Sequence, residues 1–127
     1  MSDPTEQQEQ VAVIGWLKAN NVSFFAPPSS FFSSAKKDKR FFGMIGKLKS
    51  AGWSKGFPDL IIFLNGRTVF IEMKTLNTGV VSPAQKAWLE KLRSLGHDAY
   101  ICKGADAAIE QINKCIQHGG EFWELGL

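Results

Sequence analysis

Two apolar runs, Asp59-Leu60-Ile61-Ile62-Phe63-Leu64 and Arg67 to Lys74, flank the dipeptide Asn65-Gly66. No other stretch constrains the fold as tightly. Runs rich in β-branched and aromatic residues on either side of an Asn-Gly pair make an antiparallel β-hairpin. A two-residue turn also fixes the register, because it sets Leu64 opposite Arg67. Counting outward, Asp59 then falls opposite Glu72, with Cβ atoms roughly 5 Å apart on one face. Lys74 lies two residues beyond Glu72 and shares that face. The residue before Asp59 is Pro58.

Like charges placed directly opposite each other destabilise a hairpin. Two arrangements relieve this one. The first is an exposed salt bridge among Asp59, Glu72 and Lys74; the second is a divalent cation between the carboxylates. The neighbours Leu60 to Leu64 and Val69 to Ile71 are apolar, which puts the charges at the end of a buried sheet and favours the cation. Two carboxylates with water and phosphate oxygens suit Mg²⁺. Such an ion polarises a phosphoryl oxygen and acidifies water. Lys74 would orient that water or neutralise charge developing on phosphate. The backbone carbonyl of Met73, between Glu72 and Lys74, is a further candidate ligand.

The rest of the chain supplies layers for this hairpin. Residues 5–20 read as a helix capped by Thr5 with Gln8 three residues on, and Val11, Val13, Ile14 and Leu17 form its apolar stripe. Val22 to Ala26 is a short strand stopped by Pro27-Pro28. Residues 27–42 read as irregular, and Gly43 to Ala51 as a short helix ended by Gly52. After a loop at 75–82, Ser82-Pro83 opens a helix whose buried face is Ala84, Trp88, Leu92 and Leu95. Asp98 to Cys102 is a strand. Ala105, Ile109, Ile112 and Ile116 mark a last helix, ended by Gly119-Gly120. Strands mixed with helices after a hairpin imply an α/β fold, with helices on the faces of a mixed sheet. At 127 residues the chain fits a single domain, with a basic, aromatic region at 27–55 and a tail at 119–127 that packs onto the domain or onto a partner.

Charge is unevenly placed. Seven of the fifteen basic residues lie in one block: Lys36, Lys37, Lys39, Arg40, Lys47, Lys49 and Lys55, with only Asp38 against them. The remainder carries eight basic and eleven acidic residues. Such a block fits a phosphate backbone or an ordinary solvated loop. Phe31-Phe32 and Phe41-Phe42 bracket the cations, either as stacking platforms for bases or as loop anchors. No apolar run reaches the length of a membrane span, and the acidic, Gln-rich start is not a secretory signal. Cys102 and Cys115 make neither a disulfide framework nor a zinc site and read as reduced thiols of a cytoplasmic protein. His97 and His118 adjoin glycines at element ends, where surface or capping roles are expected.

Three segments in order, Gly56-Phe57-Pro58-Asp59-Leu60, Phe70-Ile71-Glu72-Met73-Lys74 and Ser82-Pro83-Ala84-Gln85-Lys86, resemble the VRR-NUC family of the PD-(D/E)XK nuclease superfamily. Pro58-Asp59 matches the PD and Glu72-Met73-Lys74 the EXK, and the resemblance spans nearly the whole chain. It implies a restriction-endonuclease-like α-β-β-β-α-β core. It implies Mg²⁺- or Mn²⁺-dependent phosphodiester hydrolysis, with Asp59 and Glu72 as metal ligands and Lys74 assisting the nucleophile. A Glu on the first helix is expected at the metal: Glu6 is the better match and Glu9 the alternative. Gln85 would support the site or touch phosphate. Where many relatives carry an Asn-Gly-Gly-type turn, this chain has Pro27-Pro28-Ser29-Ser30-Phe31-Phe32, so its substrate-facing loop is its own. Short stand-alone members are virus- or prophage-associated and resemble junction resolvases. That implies branched DNA as substrate, a homodimer, since two strands need two sites, and a bacterial or phage-infected cell. RNA remains a substrate variant, and a non-catalytic nucleic-acid-binding module is the rival reading.

Overall fold

The computed structural model describes residues 3–27 and 39–124. In chain order the elements are α1 (Glu6–Ala19), β1 (Ser23–Phe25), α2 (Lys39–Ser50), β2 (Leu60–Leu64), β3 (Arg67–Lys74), α3 (Pro83–Ser94), β4 (Asp98–Lys103) and α4 (Ala105–Glu124). The α-β-β-β-α-β core is present, with α2 inserted after β1 and α4 added at the end.

The four strands form one mixed sheet in the order β1-β2-β3-β4. The first two pairings are antiparallel and β3 pairs β4 in parallel. The hairpin register is the one the turn dictates, with Leu64 on Arg67 and Leu60 on Ile71. A parallel neighbour needs a crossover, and the loop plus α3 provides it.

β3 is covered on both faces, and its alternation sorts the core. Val69, Ile71 and Met73 face Val13 and Leu17 of α1 and Ala108, Ile112 and Cys115 of α4. Phe70 faces the other way, beneath Leu89 and Leu92 of α3, with Phe57, Ile61 and Trp88 around it. Glu72 and Lys74 continue the Phe70 face by the period of two. At the opposite end of β3, Arg67 makes a two-point ion pair with Asp98 and donates to the Cys115 carbonyl, tying β3, β4 and α4 together.

Several boundaries and faces differ from the sequence expectation. α2 begins at Lys39 rather than Gly43, so Lys39 and Arg40 belong to a helix. On α3 the buried residues are Leu89 and Leu92, while Leu95 is exposed because it is the C-cap, beyond the last turn over the sheet. Val11 on α1 and Ile116 on α4 are also exposed. Ala108 and Cys115 share the inward positions of α4 with Ile112. α4 does not stop at Gly119-Gly120 but continues to Glu124. Cys102 and Cys115 are buried free cysteines. His97 is exposed and stands edge-on to Phe70. No helix among the described residues is long and apolar enough to cross a membrane.

Candidate metal centre

The open end of the hairpin meets the first turn of α1 and the first turn of α3. Pro58 and Asp59 are buried immediately before β2. Asp59 Oδ2 accepts the backbone N–H of Met73 at 2.8 Å. Counting by twos from the closing pair Leu64–Arg67, the residue opposite Met73 is Pro58, whose nitrogen has no hydrogen to give. The missing hydrogen leaves the Met73 carbonyl without the ladder donor that another residue at 58 would supply, and the Met73 N–H on the same lateral side is taken by the aspartate side chain.

Glu72 is only 1% exposed. Its Oε2 accepts a hydrogen bond from Gln85 Nε2 at 3.2 Å and lies 3.6 Å from Lys74 Nζ. Its Oε1 is buried and has no hydrogen-bond partner among the described residues. Gln85 is held in turn by a reciprocal cap. Its backbone N–H donates to Ser82 Oγ at 3.2 Å and its Oε1 accepts from the Ser82 backbone N–H at 2.9 Å. The Ser82-x-x-Gln85 spacing is itself a capping signal. Gly56, at φ 87°, lies so close to this turn that a Cβ would stand 2.7 Å from the Ala84 carbonyl carbon. Bare backbone there lets the Gly56–Asp59 segment seat against α3.

Glu6 enters from α1, whose start is fixed by the Thr5–Gln8 capping box. One carboxylate oxygen from each of Glu6, Asp59 and Glu72 lies within 4.8 Å of the others. Glu9 does not join them. Its carboxylate accepts the backbone N–H of Ala105 at the start of α4, a favourable end for negative charge.

Three carboxylates with one buried lysine resist full ionisation. Burial pushes the Glu72 carboxyl up to about 9; the neighbouring Asp59 and then Glu6 add to the rise, and Lys74 opposes it. Burial and Asp59 also raise Glu6, again against Lys74. A divalent cation fits this donor set. It would replace the proton that the cluster retains and give the orphaned Glu72 Oε1 a partner.

The basic residues are more scattered. Lys39 and Arg40 lie in the first turn of α2, and Lys47 and Lys49 are exposed in its last turn. Lys55 is exposed next to Gly56. Lys36 and Lys37, with the Phe31-Phe32 pair, lie outside the described residues. One further cation, Lys103, lies outside the basic block. It is exposed at the end of β4, and its Cα pairs with that of Lys74 across the parallel ladder. Its parallel register against Lys74, which DAYICK does not disclose by alternation, is what places it there.

The VRR-NUC domain model matches residues 5–106 of the chain. Among solved structures, a chain described as a VRR_NUC domain protein superposes with a TM-score of 0.70 at 27% sequence identity. The alignment covers 88% of this chain and 88% of that one. No curated protein matches the chain.

Proposed function

The chain belongs to the VRR-NUC domain family, and from that premise we propose that it is a Mg²⁺- or Mn²⁺-dependent endonuclease that hydrolyses DNA phosphodiester bonds. The observation that carries this reading is the meeting of Glu6, Asp59 and Glu72, with one buried Glu72 oxygen left without a partner.

In this reading Asp59, Glu72 and Glu6 hold the ion, with the Met73 carbonyl as a further ligand. When bound, the ion supplies Lewis-acid polarisation of the phosphoryl oxygen and a more acidic water. Gln85 fixes the Glu72 carboxylate, because its own side chain is held by the cap on α3. Lys74 has its ammonium beside Glu72 and is nearly buried, so its charge acts at close range on phosphate. Lys47, Lys49, Lys55, Lys39 and Arg40, with Lys36 and Lys37, hold the phosphates flanking the scissile one. Branched or junction DNA as the substrate, and a homodimer that offers two sites to it, carry over from the family resemblance.

The test is a cleavage panel of single-stranded, duplex, flap and four-way-junction DNA, with RNA alongside, each with Mg²⁺, Mn²⁺ or EDTA. Cutting of branched DNA with either ion, absent in EDTA and lost in Asp59→Ala and Glu72→Ala, is the expected result. Binding without cutting under every condition would instead make this a nucleic-acid-binding module built on a nuclease fold.

A further inference from the structure

The turn after β3 lies against this site without contributing an acid or a base to it. Thr75 to Gly79 doubles back on itself, with the hydroxyls of Thr75 and Thr78 hydrogen-bonded at 2.9 Å. Asn77 Nδ2 donates to Asp3 Oδ2 at 3.0 Å, which ties the turn to the segment leading into α1 and Glu6. The fold-back lands Gly79 on Lys74. A Cβ at position 79 would stand 2.8 Å from Lys74 Cβ, 2.9 Å from the Thr75 nitrogen and 3.1 Å from Lys74 Cδ. Two of those three atoms belong to the lysine stem and the third is backbone, so no flexible chain end can swing aside.

A lysine stem has many rotamers, and its ammonium reaches one carboxylate only if most of them are closed off. Lys74 is 5% exposed, and its Nζ is 3.6 Å from Glu72. The backbone of the turn covers the stem where β3 ends. We propose that Gly79 is a positioning residue of this site: bare backbone at 79 lets the Thr75–Gly79 turn close over Lys74 and hold its ammonium at Glu72. The effect on cleavage rests on the nuclease reading; the effect on Lys74 itself does not.

Gly79→Ala forces the turn off the stem. The expected result is a kcat lower by about tenfold or more, since small misplacements of a reacting group are costly, with KM and DNA affinity little changed. In a Lys74→Ala background the same substitution adds no further loss. A second readout needs no cutting. In competitive amine labelling of the metal-free protein, Lys74 reacts well below the exposed Lys86 and Lys91 and gains several-fold in Gly79→Ala. Gly15→Ala, where nothing stands within 4 Å of the added Cβ, leaves both readouts at the wild-type level.

Should Gly79→Ala not fold, Thr78→Val carries the labelling test, because it removes the Thr75–Thr78 hydrogen bond without adding bulk. Unchanged protection of Lys74 in whichever variant folds overturns the proposal, as does a loss fully additive with Lys74→Ala. A wild type that cuts no substrate, combined with a Lys74 uncovered by Gly79→Ala, overturns the nuclease reading and upholds the brace.

Discussion

Glu72 is the residue on which the electrostatics of the site turn. An ordinary glutamate releases its proton near 4.5, whereas this one holds it to about 9 because it is buried beside Asp59. Between those values the folded chain keeps a proton that the unfolded chain has lost, so stability falls as pH rises through the window. Each pH unit there is worth up to about 1.4 kcal/mol. In EDTA, the urea midpoint should therefore drop between about pH 5 and about pH 8, where unfolded glutamates are ionised. Saturating Mg²⁺ should flatten or reverse that drop, since the ion binds the ionised carboxylates. A midpoint in EDTA that climbs over the same interval would mean Glu72 is already ionised in the folded protein. The two glutamates of α1 separate on the same logic. Glu6→Gln removes a carboxylate from the cluster and should cost cleavage with little loss of stability. Glu9→Gln weakens the anchor on the α4 N-terminus and should lower stability by about 1 kcal/mol, with cleavage nearly intact. Greater loss of activity from Glu9→Gln would exchange their roles.

The secondary-structure elements differ in how much of them the sequence discloses. The hairpin is legible because the Asn65-Gly66 turn leaves one register, and that register alone puts Asp59, Glu72 and Lys74 together. The helix faces are less legible, since a one-residue error in phase rotates a face by about 100°. Ala84, Trp88, Leu92 and Leu95 make a plausible stripe on α3, yet Leu89 is buried and Leu95 is not. What decides is where the sheet ends beneath the helix, a tertiary fact. Gly119-Gly120 reads as a stop, but α4 passes through it; glycine lowers helix propensity without forbidding a helix. Glu6 and Glu9 could not be separated by periodicity either, because the choice depends on α4 offering its N-terminus to Glu9. α2 carries a testable consequence of its own. Lys47 and Lys49 are exposed in its last turn, and Lys55 follows in the loop toward Asp59. Each lysine taken away from a DNA phosphate should make the slope of log K against log salt shallower by about 0.9 for duplex DNA. A Lys47→Ala, Lys49→Ala, Lys55→Ala triple variant should therefore flatten it by about one to three times that amount. An unaltered slope would return this block to a solvated surface.

Across the whole molecule, a net charge of +3 hides two regions of opposite sign. The basic block ends at Lys55, four residues before Asp59, while the acidic remainder includes Glu6, Asp59 and Glu72. In the nuclease reading, a phosphate drawn in by the block meets an acidic cluster that the proton on Glu72 only partly neutralises. The low-dielectric setting strengthens repulsion as much as attraction. In that reading, DNA without a cation would engage only the periphery, and with one the centre would turn from repulsive to attractive. Tight DNA binding should accordingly depend on divalent ions even when no bond is cut. Fluorescence anisotropy with a junction substrate should show weaker binding in EDTA than in Ca²⁺, at matched ionic strength so that screening is constant. The decisive comparison is an Asp59→Asn, Glu72→Gln double variant, which removes the Asp59 carboxylate, the titrating Glu72 carboxyl and the ion site together. It should bind DNA in EDTA more tightly than the wild type does and gain nothing from added Ca²⁺. If the wild type binds equally in EDTA and Ca²⁺, the acidic cluster lies off the path of the phosphate, and the basic block alone sets affinity.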